Sequence, residues 1–166
     1  MSFHEGDPVM HWTYGFGQII SLEERVISGL KTLYYSVQVQ DLTVWVPSDS
    51  KINSRLRPPT PVASFKKLLN ILSGKGESLP IDRYERKTRL LELVKDGSTE
   101  SLCHTIRALV TFRKKQALND SDEVLLKQSQ NTLLGEWEFV LGITHAQAEI
   151  DLHRILGTGP AEKEAA

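Results

Sequence analysis

Hydrophobic and polar positions change their period once along this chain, close to residue 58. Before that point the apolar residues come in short, β-branched and aromatic blocks. These are Pro8-Val9-Met10-His11-Trp12, the run 18–27, then Leu33-Tyr34-Tyr35-Ser36-Val37-Gln38-Val39 and Leu42-Thr43-Val44-Trp45-Val46-Pro47. The breaks Ser28-Gly29-Leu30-Lys31 and Gln40-Asp41 are short enough for hairpins, so 15–47 reads as a small antiparallel meander. Tyr35, Val37 and Val39 alternate with Tyr34, Ser36 and Gln38, which buries one face and wets the other. The same alternation sets Leu42, Val44 and Val46 against Thr43 and Trp45. Trp45 thus falls on the solvent side, either as an anchor for a partner or as a cover over the open end of a small barrel. Gly15 and Gly17 stand where a positive φ or a bulge is expected. A phosphate-cradling loop is not read there, because no helix pattern and no Gly-Lys-Ser/Thr follows.

Three prolines in Pro58-Pro59-Thr60-Pro61 fit neither a helix interior nor a central strand, and Arg55-Leu56-Arg57 leads into them as a stiff connector. A domain boundary is placed here, giving 1–58 and 59–166. Beyond it the apolar period is helical and no strand signal returns. Helices are expected over 64–72, 81–95 and 99–117. A fourth starts in Asn119-Asp120-Ser121-Asp122-Glu123, with Asp120 and Glu123 at capping-box spacing, and a fifth is capped by Thr144 with Gln147 and stopped by Gly157. The second helix points Leu90, Leu91, Leu93 and Val94 inward. The fourth carries Val124, Leu125, Leu133, Leu134, Trp137, Phe139, Val140 and Leu141, and is expected to be the most buried; the fifth turns Ile150, Leu152, Ile155 and Leu156 inward. From about 158 the chain is expected to be a disordered tail. The fold class is α+β, a small antiparallel β-barrel or sheet followed by an all-α domain of about five helices.

Of the 166 residues, 40% are hydrophobic and 25% charged, an ordinary balance for a globular chain. The net charge of −1 hides an uneven distribution. Residues 1–60 hold five Lys and Arg against six Asp and Glu, residues 61–116 twelve against six, and residues 117–166 three against nine. An anion-binding middle and an acidic rear follow as one reading, a merely solvated face as the other. Within the middle, Asp82-Arg83-Tyr84-Glu85-Arg86-Lys87-Thr88-Arg89 puts four cations and an aromatic at the start of a helix, where the macrodipole disfavours cations. That misfit makes the segment a functional candidate. Arg113-Lys114-Lys115, at a helix end, is accounted for by the dipole alone.

The histidines 4, 11, 104, 145 and 153 have no metal-ligand spacing, and Cys103, the sole cysteine, points away from His104 on its helix and reads as an inert thiol. No carboxylates fall in an acid/base motif, so no enzyme, metal or cofactor is expected. Apolar runs are too short to span a membrane, and the first residues lack the layout of a signal peptide. A cytoplasmic protein, monomeric in solution, is expected.

The motifs Phe3-x-x-Gly6-Asp7-x-Val9, Tyr14-Gly15-x-Gly17, Tyr35-x-Val37 and Val44-x-Val46-Pro47, in that order, resemble the opening of the bacterial CarD/CdnL family. Its RNA polymerase-interacting module is shared with transcription-repair coupling factors. Ile106-Arg107-x-Leu109, Leu118 and Leu133-Leu134-Gly135-Glu136 extend the likeness through residues 3–156. The resemblance implies a Tudor-like first domain that pairs a sheet edge with the polymerase β subunit. It also implies a helical domain that touches promoter DNA, without sequence preference, at the upstream edge of the transcription bubble. The positions matching the polymerase side are Arg25 and Trp45, and Val44, Val46 and Pro47, which flank Trp45, complete the candidate polymerase surface. On the DNA side the family's Trp-x-x-Arg pattern falls on Arg83 and Arg86, and the cationic segment adds Tyr84, Lys87 and Arg89 as candidate DNA contacts. Two departures stand out: Trp45 occupies a position expected to be basic, and an ungapped count back from Gly97 puts Arg83 at the position of a Trp wedge, where a slip of one residue would put Tyr84 instead.

The function implied is a non-enzymatic regulator that modulates open-complex stability. The alternative is a polymerase-binding adaptor whose helical domain recruits another protein instead of DNA. A small-ligand or RNA-binding barrel with a helical cap is the third reading.

Overall fold

The computed structural model describes residues 2–157 and divides the chain into two compact units, Met1–Pro59 and a second that begins at Thr60. The tail expected from about 158 lies outside the described residues.

The first unit is one antiparallel sheet of five strands: β1 (Pro8–His11), β2 (Gly15–Ile27), β3 (Leu30–Val39), β4 (Leu42–Pro47) and β5 (Leu56–Arg57). Their order is β4-β3-β2-β1-β5. The β2–β3 hairpin closes through Ser28 and Gly29, both at positive φ (54° and 79°), the backbone demanded by a two-residue turn between twisted strands. Gly17 is a matter of space: a Cβ there would lie 2.7 Å from the Gln38 carbonyl oxygen and from Val39 Cγ2. Gly15 supplies the expected positive φ, at 83°, and the bulge falls three residues beyond Gly17, where Ile20 has no partner between the Ile19 and Ser21 pairings. Val9, Ile19, Tyr35, Val37, Val39, Val46, Ile52 and Leu56 form the core, with Phe3 laid edge-on to Tyr35 and donating its N–H to the Tyr35 hydroxyl.

Of the two forms expected, barrel or sheet, the structure has the open sheet, because β4 pairs only with β3 and β5 only with β1. One feature differs from the sequence reading. The connector before the prolines holds a fifth strand, whose two residues pair with Met10 and His11. A two-residue strand has no periodicity to read.

The second unit is helical: α1 (Val62–Ser73), α2 (Arg83–Val94), α3 (Thr99–Arg113), α4 (Asp120–Leu141) and α5 (His145–Leu156). The α+β class therefore holds. Phe65, Leu72, Leu90, Ile106, Leu109, Leu133, Leu134, Trp137, Leu152 and Leu156 fill its core. The most buried helix is α3, not α4. Eight of the fifteen α3 residues are buried against seven of twenty-two in α4. A helix as long as α4 keeps one face in water, and Val124 and Phe139 lie on it; Leu91 and Ile150 are likewise exposed.

The start of α4 also differs in detail. Asn119 caps it and Asp122 closes the box, each side chain taking the other's backbone N–H. Thr144 and Gly157 bound α5 as expected. Glu136, on α4, is wholly buried. Its carboxylate accepts from the Thr60 N–H and hydroxyl (both 2.9 Å) and from the Thr99 hydroxyl (2.7 Å). A carboxylate is tolerated at such a site because donors like these replace its water.

Candidate binding surfaces

In the sheet unit the candidate surface is the free side of β4. An edge strand leaves a row of backbone N–H and C=O groups unpaired, a template for an incoming strand. Alternation along β4 sends Val46 into the core, leaves Val44 and Pro47 half-buried, and turns Trp45 outward with 38% of its surface exposed. Arg25 on β2 places its guanidinium carbon 4.2 Å from the centre of the Trp45 ring. Two strands thus combine in one exposed cation–aromatic pair, held by about 0.5–1 kcal/mol at such a site. Val46 takes part through backbone and packing only.

Sequence reasoning missed the apolar ribbon beside this edge. β4 pairs with β3 only from Tyr34 onward, so the far halves of β2 and β3 project as a two-stranded ribbon. Val26, Ile27, Leu30 and Leu33 are exposed on it, and Leu22 is exposed just before it, opposite Tyr35. The run 18–27 mixes apolar and polar residues evenly, so its pattern gave no warning.

At the opposite end of the strands, the β1–β2 turn exposes Trp12 and Tyr14. His11 fixes this turn, its Nδ1 accepting the N–H groups of Thr13 and Tyr14 at 3.0 and 3.2 Å. Burial holds the His11 pKa below the ordinary imidazole value, as a ring that must accept at Nδ1 requires.

In the helical unit the candidate surface is the start of α2. Asp82 caps the helix by accepting the N–H groups of Tyr84 and Glu85. The four cations of this segment then divide. Arg86 is 4% exposed and cannot reach a ligand. Its Nε and Nη2 hold Asp122 Oδ2 at 3.0 and 2.9 Å, its Nη1 donates to the carbonyls of Pro80 (3.2 Å) and Ile81 (2.8 Å), and it lies 4.6 Å over the Phe112 ring. The expectation that Arg86 meets DNA is therefore corrected: it is an internal strut between α2, α3 and α4. The sequence pattern hid this because Asp122 is 36 residues away.

Arg89 is partly exposed but committed, forming a two-pronged pair with Glu77 (2.7 and 2.8 Å) and a third bond to Glu92. The Glu77 hydrogen bonds raise the Arg89 pKa further and lower that of Glu77. Arg83 and Lys87 remain as exposed cations, Arg83 stacked 4.9 Å over the Tyr84 ring and donating to its hydroxyl.

One residue was overlooked. Ile81 is 74% exposed, beside Tyr84 at 68%. It precedes the cap, where an apolar residue commonly packs back on the fourth helical position. Here that position is the buried Arg86, which takes the Ile81 carbonyl and leaves the side chain in water. An exposed Ile before a helix start is the signal that could have revealed it.

Among the described residues, no group of three or more His, Cys, Asp or Glu could hold a metal ion, and no helix is long and apolar enough to cross a membrane. Cys103 is fully buried, its thiol pKa pushed up to about 12 chiefly by burial.

The first unit thus offers an open sheet edge with an exposed cation–aromatic pair, and the helical unit an apolar and cationic tip, the exposed features of a two-unit α+β class of protein. Comparison with known proteins narrows this class. A family model described as "CarD-like/TRCF RID domain" matches residues 3–58, and one described as "CarD, C-terminal domain" matches residues 67–153. The chain belongs to the CarD/CdnL family and is a transcription regulator of that kind. It is 27% identical over 148 residues to a Bacillus subtilis (strain 168) protein described as "Putative transcription factor YdeB", covering 87% of this chain and 96% of that one.

Proposed function

We propose that the chain docks on the β subunit of RNA polymerase by adding the free edge of β4 to a strand of that subunit, and holds promoter DNA at the upstream edge of the bubble with the start of α2. The unpaired edge beneath the Arg25–Trp45 pair carries this reading, since backbone pairing supplies affinity and flanking side chains supply choice of partner. The family assignment, with its RNA polymerase-interacting first domain, supports polymerase as the partner. On the helical side Arg83, Tyr84 and Lys87 remain available to DNA, and Ile81 joins them. An aliphatic side chain can press against an unstacked base step, and an aromatic ring can stack on an exposed base. The chain would favour the open complex by binding it better than the closed one, because equal affinity for both shifts nothing.

The test is capture of a β-subunit lobe-and-protrusion fragment by wild type, Arg25→Glu and Trp45→Ala, all checked for native circular dichroism. Wild type binds and both variants lose binding. Failure of wild type to bind sinks the docking half. For the other half, Arg83→Ala/Lys87→Ala shortens the lifetime of open complexes on a bubble promoter. An unchanged lifetime would favour the adaptor reading, in which the helical unit recruits a protein.

A further inference from the structure

We propose that Arg113, Lys114 and Lys115 at the end of α3 form a second row of phosphate contacts, so that the helical unit grips DNA from two helices. This rests on the DNA reading above and extends it to residues that the helix dipole had seemed to explain.

The fold brings the triplet to the α2 tip. A short connection makes α2 and α3 antiparallel neighbours, so α3 ends where α2 begins. The contact is direct: Phe112, the residue before Arg113, lies under the guanidinium of Arg86, three residues after Arg83. Arg86 also reaches Asp122 in the first turn of α4, so three helix ends meet at one buried ion pair. Around that pair, Arg83 and Lys87 come from α2, Arg113 from the last position of α3, and Lys114 and Lys115 from the two residues after it, all exposed.

Dipole compensation does not use up the triplet. The C-terminal end of a helix carries the equivalent of about half a negative charge. Three cations exceed that, and none of the three side chains has a hydrogen-bonding or ionic partner among the described residues. The carboxylates at this end, Asp82, Glu85, Asp120 and Glu123, each sit at a helix start, where the positive end of a dipole holds them. The acids are thus accounted for locally and the α3 cations are left over. A row of unpaired cations on each side of an apolar and aromatic tip, Ile81 and Tyr84, matches a polyanion whose charges flank a stack of bases.

The test uses the full-length protein and a duplex with a pre-melted bubble, with binding followed by fluorescence anisotropy from about 50 to 200 mM salt. Arg113→Gln/Lys114→Gln/Lys115→Gln is expected to weaken binding about tenfold or more and to reduce the slope of log affinity against log salt by roughly two to three, at about 0.9 for each phosphate no longer neutralised. Arg113→Lys/Lys114→Arg/Lys115→Arg, which keeps the charges, binds as wild type and separates charge from folding. Unchanged affinity and slope in the Gln variant, with Arg83→Gln/Lys87→Gln weakened, overturns the second row and leaves the DNA reading standing. No binding by wild type, or none that responds to salt, overturns both.

Discussion

The Arg86–Asp122 pair offers the sharpest energetic test, because both side chains are 5% exposed and the pair joins three helices. Arg86→Met strands the Asp122 carboxylate and removes the donor from the Pro80 and Ile81 carbonyls. Breaking a buried pair costs about 3–5 kcal/mol, and the two missing carbonyl bonds place this variant near the top of that range. Asp122→Ala leaves Arg86 those carbonyls and the face of Phe112, which places it near 3 kcal/mol, plus about 1 kcal/mol for the opened capping box. The double variant carries no buried unpaired charge, so its loss falls short of the sum by roughly 2 kcal/mol. Urea unfolding followed by helical circular dichroism at pH 7 measures all four proteins. Single losses below about 1 kcal/mol, or losses that simply add, would refute the assignment of Arg86 as an internal strut.

Other expectations follow from the same structure. His11 titrates below pH 6.5 by ring-proton NMR; because its folded pKa is depressed, its contribution to stability is complete above 6.5 and lost as pH falls through the folded value. His145 behaves oppositely. The Glu138 bond raises its pKa, so its contribution is complete below 6.5 and lost as pH rises through the folded value, which the same titration reads as a higher midpoint. Cys103 stays unreactive to a thiol reagent at pH 8 until denaturant is added, since burial and the nearby Glu136 and Glu100 keep it protonated. Gly76→Ala lowers stability by about 1–3 kcal/mol in urea titrations, its Cβ landing 2.5 Å from Thr111 Oγ1 and 2.8 Å from the Arg107 carbonyl oxygen.

What the sequence revealed was whatever its local pattern encodes. Period-two alternation around Tyr35, Val37 and Val39 gave β3 and its buried face, and Thr144 with Gly157 gave both ends of α5. What it concealed depends on partners distant in the chain. The Arg83–Arg89 run reads as a uniform cationic face, yet one of its cations is buried against a residue 36 positions on and another is held by a glutamate 12 positions back. Ile81 was passed over for a related reason. Its exposure follows from where the Arg86 side chain goes, and no propensity scale records that. Closure of the sheet was equally beyond local reading, since it depends on whether the first and last strands meet.

An unpaired sheet edge is open to every extended chain, including β4 of another copy. The stacking of Arg25 on Trp45 bears on that hazard as well as on docking. Two copies meeting edge to edge, in any register that brings their Trp45 rings together, would also bring two guanidinium groups together, and like charges across paired strands are destabilising. A strand flanked by carboxylates meets no such penalty. The cation stacked on Trp45 thus disfavours self-association of two β4 edges while the backbone of the edge remains available.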